Sequence, residues 1–291
     1  MIGFVNVFKP AGPTSAQVVA RIRRIYGLMS PERRTTAGHL GTLDPQAAGV
    51  LPVAVGKATR LIPLLGPQRK SYVFVLNVGR ATATGDASGQ TTAESNVPDD
   101  WQRRFPKLTD RFIGQIEQQP PMFSALKHRG RRLYDLAREG VVVERKMRRV
   151  TIYALNILGF EGEKAVRLRV ACSEGTYIRT LCEDLGAALG VPAHMGALLR
   201  EGCGPFVLFE SKTVSEIAHE PKAALTAPEH IIPFPTVVLD LRGSADFRAG
   251  RSVAVPPGAH GKHVFVRDET RMLVGVGELH GALLAPQKVF L

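Results

Sequence analysis

Cysteine is scarce in this sequence. Cys172, Cys182 and Cys203 are widely spaced and form no CxxC pair. An odd, dispersed set argues against a disulfide framework and against a structural zinc site. Long apolar runs are also missing. No stretch approaches the roughly 20 residues that a membrane-spanning helix needs. The N-terminal Met1-Ile2-Gly3-Phe4-Val5-Asn6-Val7 lacks the basic flank and long apolar core of a signal peptide and reads as a strand. A soluble protein of a reducing compartment is expected, with a cytoplasmic location. Acidic residues are in deficit: 26 Asp and Glu stand against 38 Lys and Arg, a formal charge of +12. Such an excess points to a polyanionic partner and disfavours a small-metabolite enzyme. The rest is ordinary globular composition, 44% hydrophobic and 22% charged, over 291 residues. That length suits two domains.

Turn residues Lys9-Pro10-Ala11-Gly12-Pro13 end the first strand. Thr14 or Ser15 can cap a helix with apolar positions Val18, Val19, Ile22 and Ile25, stopped by Gly27 and Pro31. A Gly-rich loop, Ala37 to Gly49, precedes a short buried strand or extended segment at Val50 to Val55. Tyr72, Phe74, Leu76 and Val78 alternate as the bulky face of a strand, and Gly79 to Gly89 reads as a polar loop. A helical stretch is expected before Phe112. Val166, Leu168, Val170 and Cys172 mark a half-buried strand. Gly175-Thr176 leads into a helix whose stripe is Ile178, Leu181, Leu185 and Ala188, ended by Gly190, with Arg179 off the stripe. Prolines crowd between about 220 and 235, a plausible boundary. Beyond it the runs Val237 to Leu241, Val253 to Val255, Val264 to Val266 and Met272 to Val276 read as strands of a small barrel-like domain packed on the main body.

Half of the charge excess falls in one segment. Residues 119–150 hold nine basic side chains, among them Lys127, Arg131 and Arg132, against three acidic ones. Pro120, Pro121, Met122, Phe123 and Tyr134 are interleaved with them. A solvated basic face would also fit, but the clustering favours a nucleic-acid surface, with forked arginine donors for phosphate and aromatics for bases.

Several motifs in order carry a resemblance. Gly38-His39-Leu40-Gly41-Thr42-Leu43-Asp44-Pro45-Gln46-Ala47-Ala48-Gly49 resembles the signature of the bacterial tRNA pseudouridine-55 synthases. Phe8-Lys9-Pro10, Lys70-Ser71-Tyr72, the loop 79–89, the stretch 119–127, Gly175-Thr176-Tyr177-Ile178-Arg179-Thr180-Leu181 and the stretch 198–206 resemble further pieces of that family, and together they span nearly the whole chain. The resemblance implies an α+β fold: a catalytic domain with a mixed, mostly antiparallel sheet and helices over 1–230, with a basic RNA-gripping insertion at about 119–150. It also implies a small PUA-like RNA-binding β-barrel over 236–291. It implies isomerisation of uridine 55 in the T loop of tRNA, by base flipping, cleavage of the N1–C1′ bond and rejoining of C1′ to C5. No metal and no organic cofactor is implied. The partner is the tRNA T stem-loop, with no membrane and no obligate protein partner.

Alone, an aspartate before a proline is usually a turn former. The resemblance makes Asp44 the essential nucleophile or base, leaving open whether it traps C1′ or removes a sugar proton. It makes Arg179 an ion-pair partner of Asp44, for which Asp86 competes before RNA binds. Tyr72 would stack on the flipped uracil and assist proton removal, although a core aromatic fits its alternation equally. His39 would pack at the target and help extrude bases; Leu40 follows it where the family pattern has a threonine. Lys9 and Pro10 would support the Asp44 loop. Leu198 would wall the uracil pocket or fill the core. Arg80, Lys127, Arg131 and Arg132 would contact RNA, with Arg21, Arg23, Arg24 and Arg33 adding phosphate contacts. Two other readings stay open: a non-catalytic RNA-binding or tRNA-folding protein, and a related synthase acting on another RNA within a protein complex.

Overall fold

A computed structural model describes residues 1–29, 35–124, 126–255 and 258–290, and for Lys127 the main chain. Strand β1 (Ile2–Lys9) leads into α1 (Ser15–Leu28). Thr14 is the cap: its hydroxyl accepts from the Gln17 amide while the Gln17 side chain returns to the Thr14 amide. Ser15 therefore lies inside the helix with its hydroxyl free for other work. Val18, Ile22 and Tyr26 are the buried face, with Val19 and Ile25 partly buried. The helix passes through Gly27, and Pro31 lies outside the described residues, as does Arg33.

Strands β2 (Ala37–His39) and β3 (Ala48–Gly56) follow, and β3 is buried on both faces, as its nearly unbroken apolar run dictates. After a 3₁₀ segment comes β4 (Lys70–Val78), whose Tyr72, Phe74, Leu76 and Val78 point into the core. The stretch expected to be only a polar loop contains β5 (Arg80–Thr82), which pairs with β6 (Thr91–Glu94). Helix α2 (Trp101–Thr109) precedes β7 (Gly114–Gln118). The basic segment forms a hairpin of β8 (Lys127–His128) and β9 (Arg131–Arg132), followed by α3 (Leu133–Arg138). Its two turn residues, Arg129 and Gly130, both have positive φ, the geometry of a tight hairpin turn. The long strand β10 (Arg148–Glu161), β11 (Ala165–Cys172), α4 (Ile178–Leu189), β12 (Ala193–Cys203) and β13 (Phe206–Val207) complete the main body. Gly190 ends α4 in the left-handed conformation.

The main sheet has nine strands, with the path β1-β3-β12-β4-β11-β10-β7 and β2 and β13 attached at its side. All of its pairings are antiparallel except β3 with β12. That one parallel pair sets Arg200 opposite Gly49, beside the loop that carries Asp44. The helices α1, α2 and α4 pack on the Tyr72 face in one core.

A second sheet is built from β14 (Thr236–Val238), β15 (Val253–Ala254), β16 (His263–Arg267), β17 (Leu273–His280) and β18 (Leu283–Val289), ordered β14-β16-β17-β18-β15. It is a curled half-barrel of the PUA-like kind. Leu241, read from the sequence as strand, instead opens a helix to Arg248, because the Asp240 carboxylate caps it by accepting from the Gly243 amide at 2.6 Å. Phe265, Val276 and Phe290 share a core with Phe4, Val50 and Ala54, so the small sheet rests on the edge of the large one. Among the described residues, no helix is long and apolar enough to cross a membrane.

Candidate active site

The loop from Gly41 to Ala47 joins β2 to β3 and is held carbonyl by carbonyl. Arg200, fully buried, donates to Gly41 O at 3.0 Å, Thr42 O at 3.4 Å and Val50 O at 2.7 Å. The Ser15 hydroxyl donates to Leu43 O at 2.8 Å and accepts from the Leu43 amide at 2.9 Å. The Asp44 carbonyl accepts from the Ala47 amide, and Pro45 O accepts from the Gly12 amide at 2.8 Å. Lys9, also fully buried, donates to Pro45 O at 3.0 Å and Ala47 O at 2.6 Å. Burial lowers Lys9 to about 8, against the opposing pull of the Asp44 carboxylate. Among the described residues, the Gln46 carbonyl is the only one from Gly41 to Ala47 without such a bond. A Cβ at Gly49 would lie 2.2 Å from the Arg200 carbonyl, so glycine is required where the loop enters β3. Irregular backbone this deep must be satisfied by side chains, and these side chains fix the position of Asp44.

Arg179 meets Asp44 from the first turn of α4. Its Nε donates to Asp44 Oδ2 at 2.9 Å and its Nη2 to Oδ1 at 3.3 Å, a two-pronged pair. The remaining donors grip Thr84 O at 3.0 Å and Phe123 O at 2.7 Å. The Arg179 side chain is 5% exposed and that of Asp44 32%, so the arginine is the buried support and the carboxylate the exposed tip. The start of α4 is itself anchored: Gln118, 1% exposed, accepts from the Tyr177 amide and donates to the Tyr177 carbonyl.

Asp44 opens onto a cavity of about 300 Å³ that Tyr72, Ser124, Arg148, Tyr177 and Leu198 also line. That volume is at the small end of ligand pockets. Tyr72 is 6% exposed, and burial pushes its phenol well above the usual range, so the ring is a neutral wall. A larger cavity, about 690 Å³, lies at the junction of β4 and β5 between Arg80, His194, Lys164 and Glu161. It does not include Asp44, and size does not select the chemistry here.

The other expected site residues are placed differently. Asp86 makes no hydrogen bond to Arg179 among the described residues, though the Arg179 charge reaches it: its carboxylate accepts from Ser88 Oγ at 2.6 Å, Ser88 N at 2.9 Å and Thr84 Oγ1 at 2.7 Å. Burial opposes its charge, but these donors outweigh burial and hold its carboxyl below the usual range. Arg80 belongs to the larger cavity, 3.4 Å from His194 Nε2. His39 ends β2 without lining the Asp44 cavity; burial, aided by Arg200, lowers its pKa, and its Nδ1 is buried with no hydrogen-bond partner among the described residues. Arg131 pairs with Glu139, and Arg132 lies over the Tyr134 ring at 5.9 Å. Both are exposed, as are Arg21, Arg23 and Arg24 on α1; the Lys127 side chain lies outside the described residues.

Four supporting residues escaped the sequence reading. Arg200 and Ser124 lay inside motif stretches without a role, and Ser15 was a possible cap. Gln118 carried no signal, because its partner is 59 residues away.

Asp184, on α4 five residues beyond Arg179, has its carboxyl raised by burial to about 6. The unfolded chain, with its ordinary value of 3.8, releases that proton first. Stability therefore falls as pH rises from the unfolded value to the folded one, and the cost is complete above it. Asp184→Asn is expected to be more resistant to urea than wild type at about pH 7.5, by roughly 1 kcal/mol, with the gain shrinking toward about pH 4.5. An equal gain at both values would contradict this cause.

Comparison with known proteins agrees along the chain. Residues 27–178 match the model of the TruB family pseudouridylate synthase N-terminal domain, and residues 179–229 that of the tRNA pseudouridylate synthase B C-terminal domain. A tRNA pseudouridine synthase B of Dechloromonas aromatica is 41% identical, covering 99% of this chain and 95% of that protein. One from Caldanaerobacter subterraneus is 37% identical, with 99% of each covered. Among solved structures, a Cbf5-Nop10-Gar1 complex contains a chain of 29% identity and TM-score 0.68, covering 99% of this chain and 85% of that one. An H/ACA RNP bound to a substrate RNA containing 2′-deoxyuridine contains another, at 27% identity and TM-score 0.67, with the same coverages.

Proposed function

The chain belongs to the TruB family of pseudouridylate synthases and is a tRNA-modifying isomerase, and from that premise we propose that it converts uridine 55 in the T loop of tRNA to pseudouridine, with Asp44 as the reacting carboxylate. The observation that carries this reading is the two-pronged Arg179–Asp44 pair at the mouth of a cavity walled by Tyr72. Arg179 keeps the carboxylate oriented as the RNA displaces water. The clamped loop prevents it from relaxing away from the sugar.

The target uridine leaves the T loop and enters the cavity, with its base against the Tyr72 ring and Leu198. Flipping costs a few kcal/mol, which phosphate contacts from the exposed arginines of the hairpin, of α1 and of β10 offset. The N1–C1′ bond then breaks, and Asp44 either captures C1′ or takes a sugar proton. The freed base turns so that C5 faces C1′; the C5–C1′ bond forms as the Asp44–C1′ bond breaks or as Asp44 returns the sugar proton, and the proton that C5 then loses is balanced by the one N1 gains, leaving Asp44 a carboxylate again. Atoms and electrons balance within the nucleotide. The Tyr72 ring acts as a stacking surface for the flipped base. Residues 1–230 form the catalytic unit in this reading, and 236–291 a PUA-like unit that meets RNA beyond the T loop.

An isolated T stem-loop is expected to be modified within about tenfold of the rate of whole tRNA, because folded-loop shape carries recognition. An anticodon stem-loop is expected to stay unmodified. Equal modification of both would defeat the T-loop assignment.

A further inference from the structure

The cavity beside Asp44 holds one polar group that the chemistry above leaves unused. Ser124 is 5% exposed and lines the cavity with Asp44, Tyr72 and Leu198. Its main chain is fully committed. The amide donates to Met122 O at 2.9 Å, and the carbonyl accepts from the Tyr134 amide at 3.2 Å. The preceding residue, Phe123, has its carbonyl gripped by Arg179 at 2.7 Å. The arginine that orients Asp44 thus also fixes where Ser124 stands. The Ser124 hydroxyl is buried and has no hydrogen-bond partner among the described residues. The Tyr177 phenol lies beside it, and the Ser124 hydroxyl works against the burial that raises that phenol, so the two groups are close without a hydrogen bond of full geometry.

A buried hydroxyl without a partner is costly, and alanine in the same place would avoid that cost. A rigidly placed, unsatisfied donor facing a ligand cavity is satisfied when the ligand brings an acceptor. Uracil brings two ring carbonyls and little else that a hydroxyl can address from the rim. We propose that Ser124 is a specificity-determining residue, whose hydroxyl donates to a carbonyl oxygen of the extruded uracil. The inference rests on the assignment of the Asp44 cavity as the uridine site. Discrimination follows from the geometry: a base without an acceptor at that point leaves the hydroxyl unpaired.

The test uses T stem-loops whose target uridine is replaced by 2-thiouridine or 4-thiouridine, since sulfur accepts a hydrogen bond weakly. Wild type, Ser124→Ala and Ser124→Thr are compared by kcat/KM on each RNA. Wild type is expected to lose about tenfold on one of the two thio substrates. Which one it is identifies the carbonyl. Ser124→Ala is expected to lose a similar factor on uridine and nothing further on that thio substrate. Ser124→Thr, which keeps the hydroxyl, should retain the wild-type preference. Ser124→Ala should also melt no lower than wild type, because the group removed was unsatisfied in the free protein. An alanine variant that discriminates against both thio substrates as wild type does would overturn the proposal. Failure of the underlying reading looks different: wild type itself would not convert the uridine, and the proposal would fall with it.

Discussion

Asp44→Asn is expected to lower pseudouridine formation by at least about 10⁴-fold while leaving tRNA affinity within about twofold. The two readouts separate because Asp44 sits at the tip of the clamp and is not part of it. The bonds that hold the loop run to main-chain carbonyls from Arg200, Ser15 and Lys9, and none of them uses the Asp44 carboxylate. Asparagine retains an oxygen for Arg179, so the loop and the cavity keep their shape. It cannot act as nucleophile or base toward the sugar. Retained turnover would remove Asp44 from the chemistry, and lost binding would place it in recognition instead.

Arg179→Lys is the second large effect. Lysine supplies a point charge where the arginine supplies a planar fork. It cannot serve both Asp44 oxygens together with the carbonyls of Thr84 and Phe123, which Arg179 reaches at 3.0 and 2.7 Å. At least one buried carbonyl loses its donor, and the carboxylate gains rotational freedom. Turnover is expected to fall about 10²-fold to 10³-fold, since misplacing a catalytic group by about 1 Å costs on that order. Unfolding free energy is expected to drop by about 2–3 kcal/mol, the cost of leaving buried acceptors unpaired, discounted for the partly exposed partner. A variant with full turnover and reduced stability would make Arg179 a structural support only.

The parts of this architecture visible in the sequence were those written in local periodicity. The stripe of α4 and its Gly190 stop, and the alternating face of Tyr72 to Val78, appear as expected. Elements without a periodic signature were not legible. Strand β5 is three residues long, and the first turn of the helix that opens at Leu241 continues with Arg242, Gly243 and Ser244, so only the Asp240 cap announces it. Tyr26 falls on the α1 stripe four residues after Ile22, whereas its hydroxyl bond to the Pro221 carbonyl, 195 residues away, has no local signature.

The site divides in the same way. Asp44, Arg179 and Tyr72 came from motif resemblance, and they converge on one cavity. The clamp did not, because its bonds join a side chain to a distant main chain: Ser15 to Leu43 over 28 residues, and Arg200 to Gly41 over 159. Such bonds leave no spacing pattern. Arg80 and His39 share stretches with the site in sequence but do not line its cavity, since β5 turns Arg80 toward His194 and β2 ends His39 beside β3.

The most direct measurement maps pseudouridine across a full-length unmodified tRNA transcript after incubation with the purified protein and no added cofactor. A single modified position, uridine 55 in the T loop, made by wild type and not by Asp44→Asn, is the predicted result. Modification at another position, or none at all with tRNA binding intact, would contradict the account.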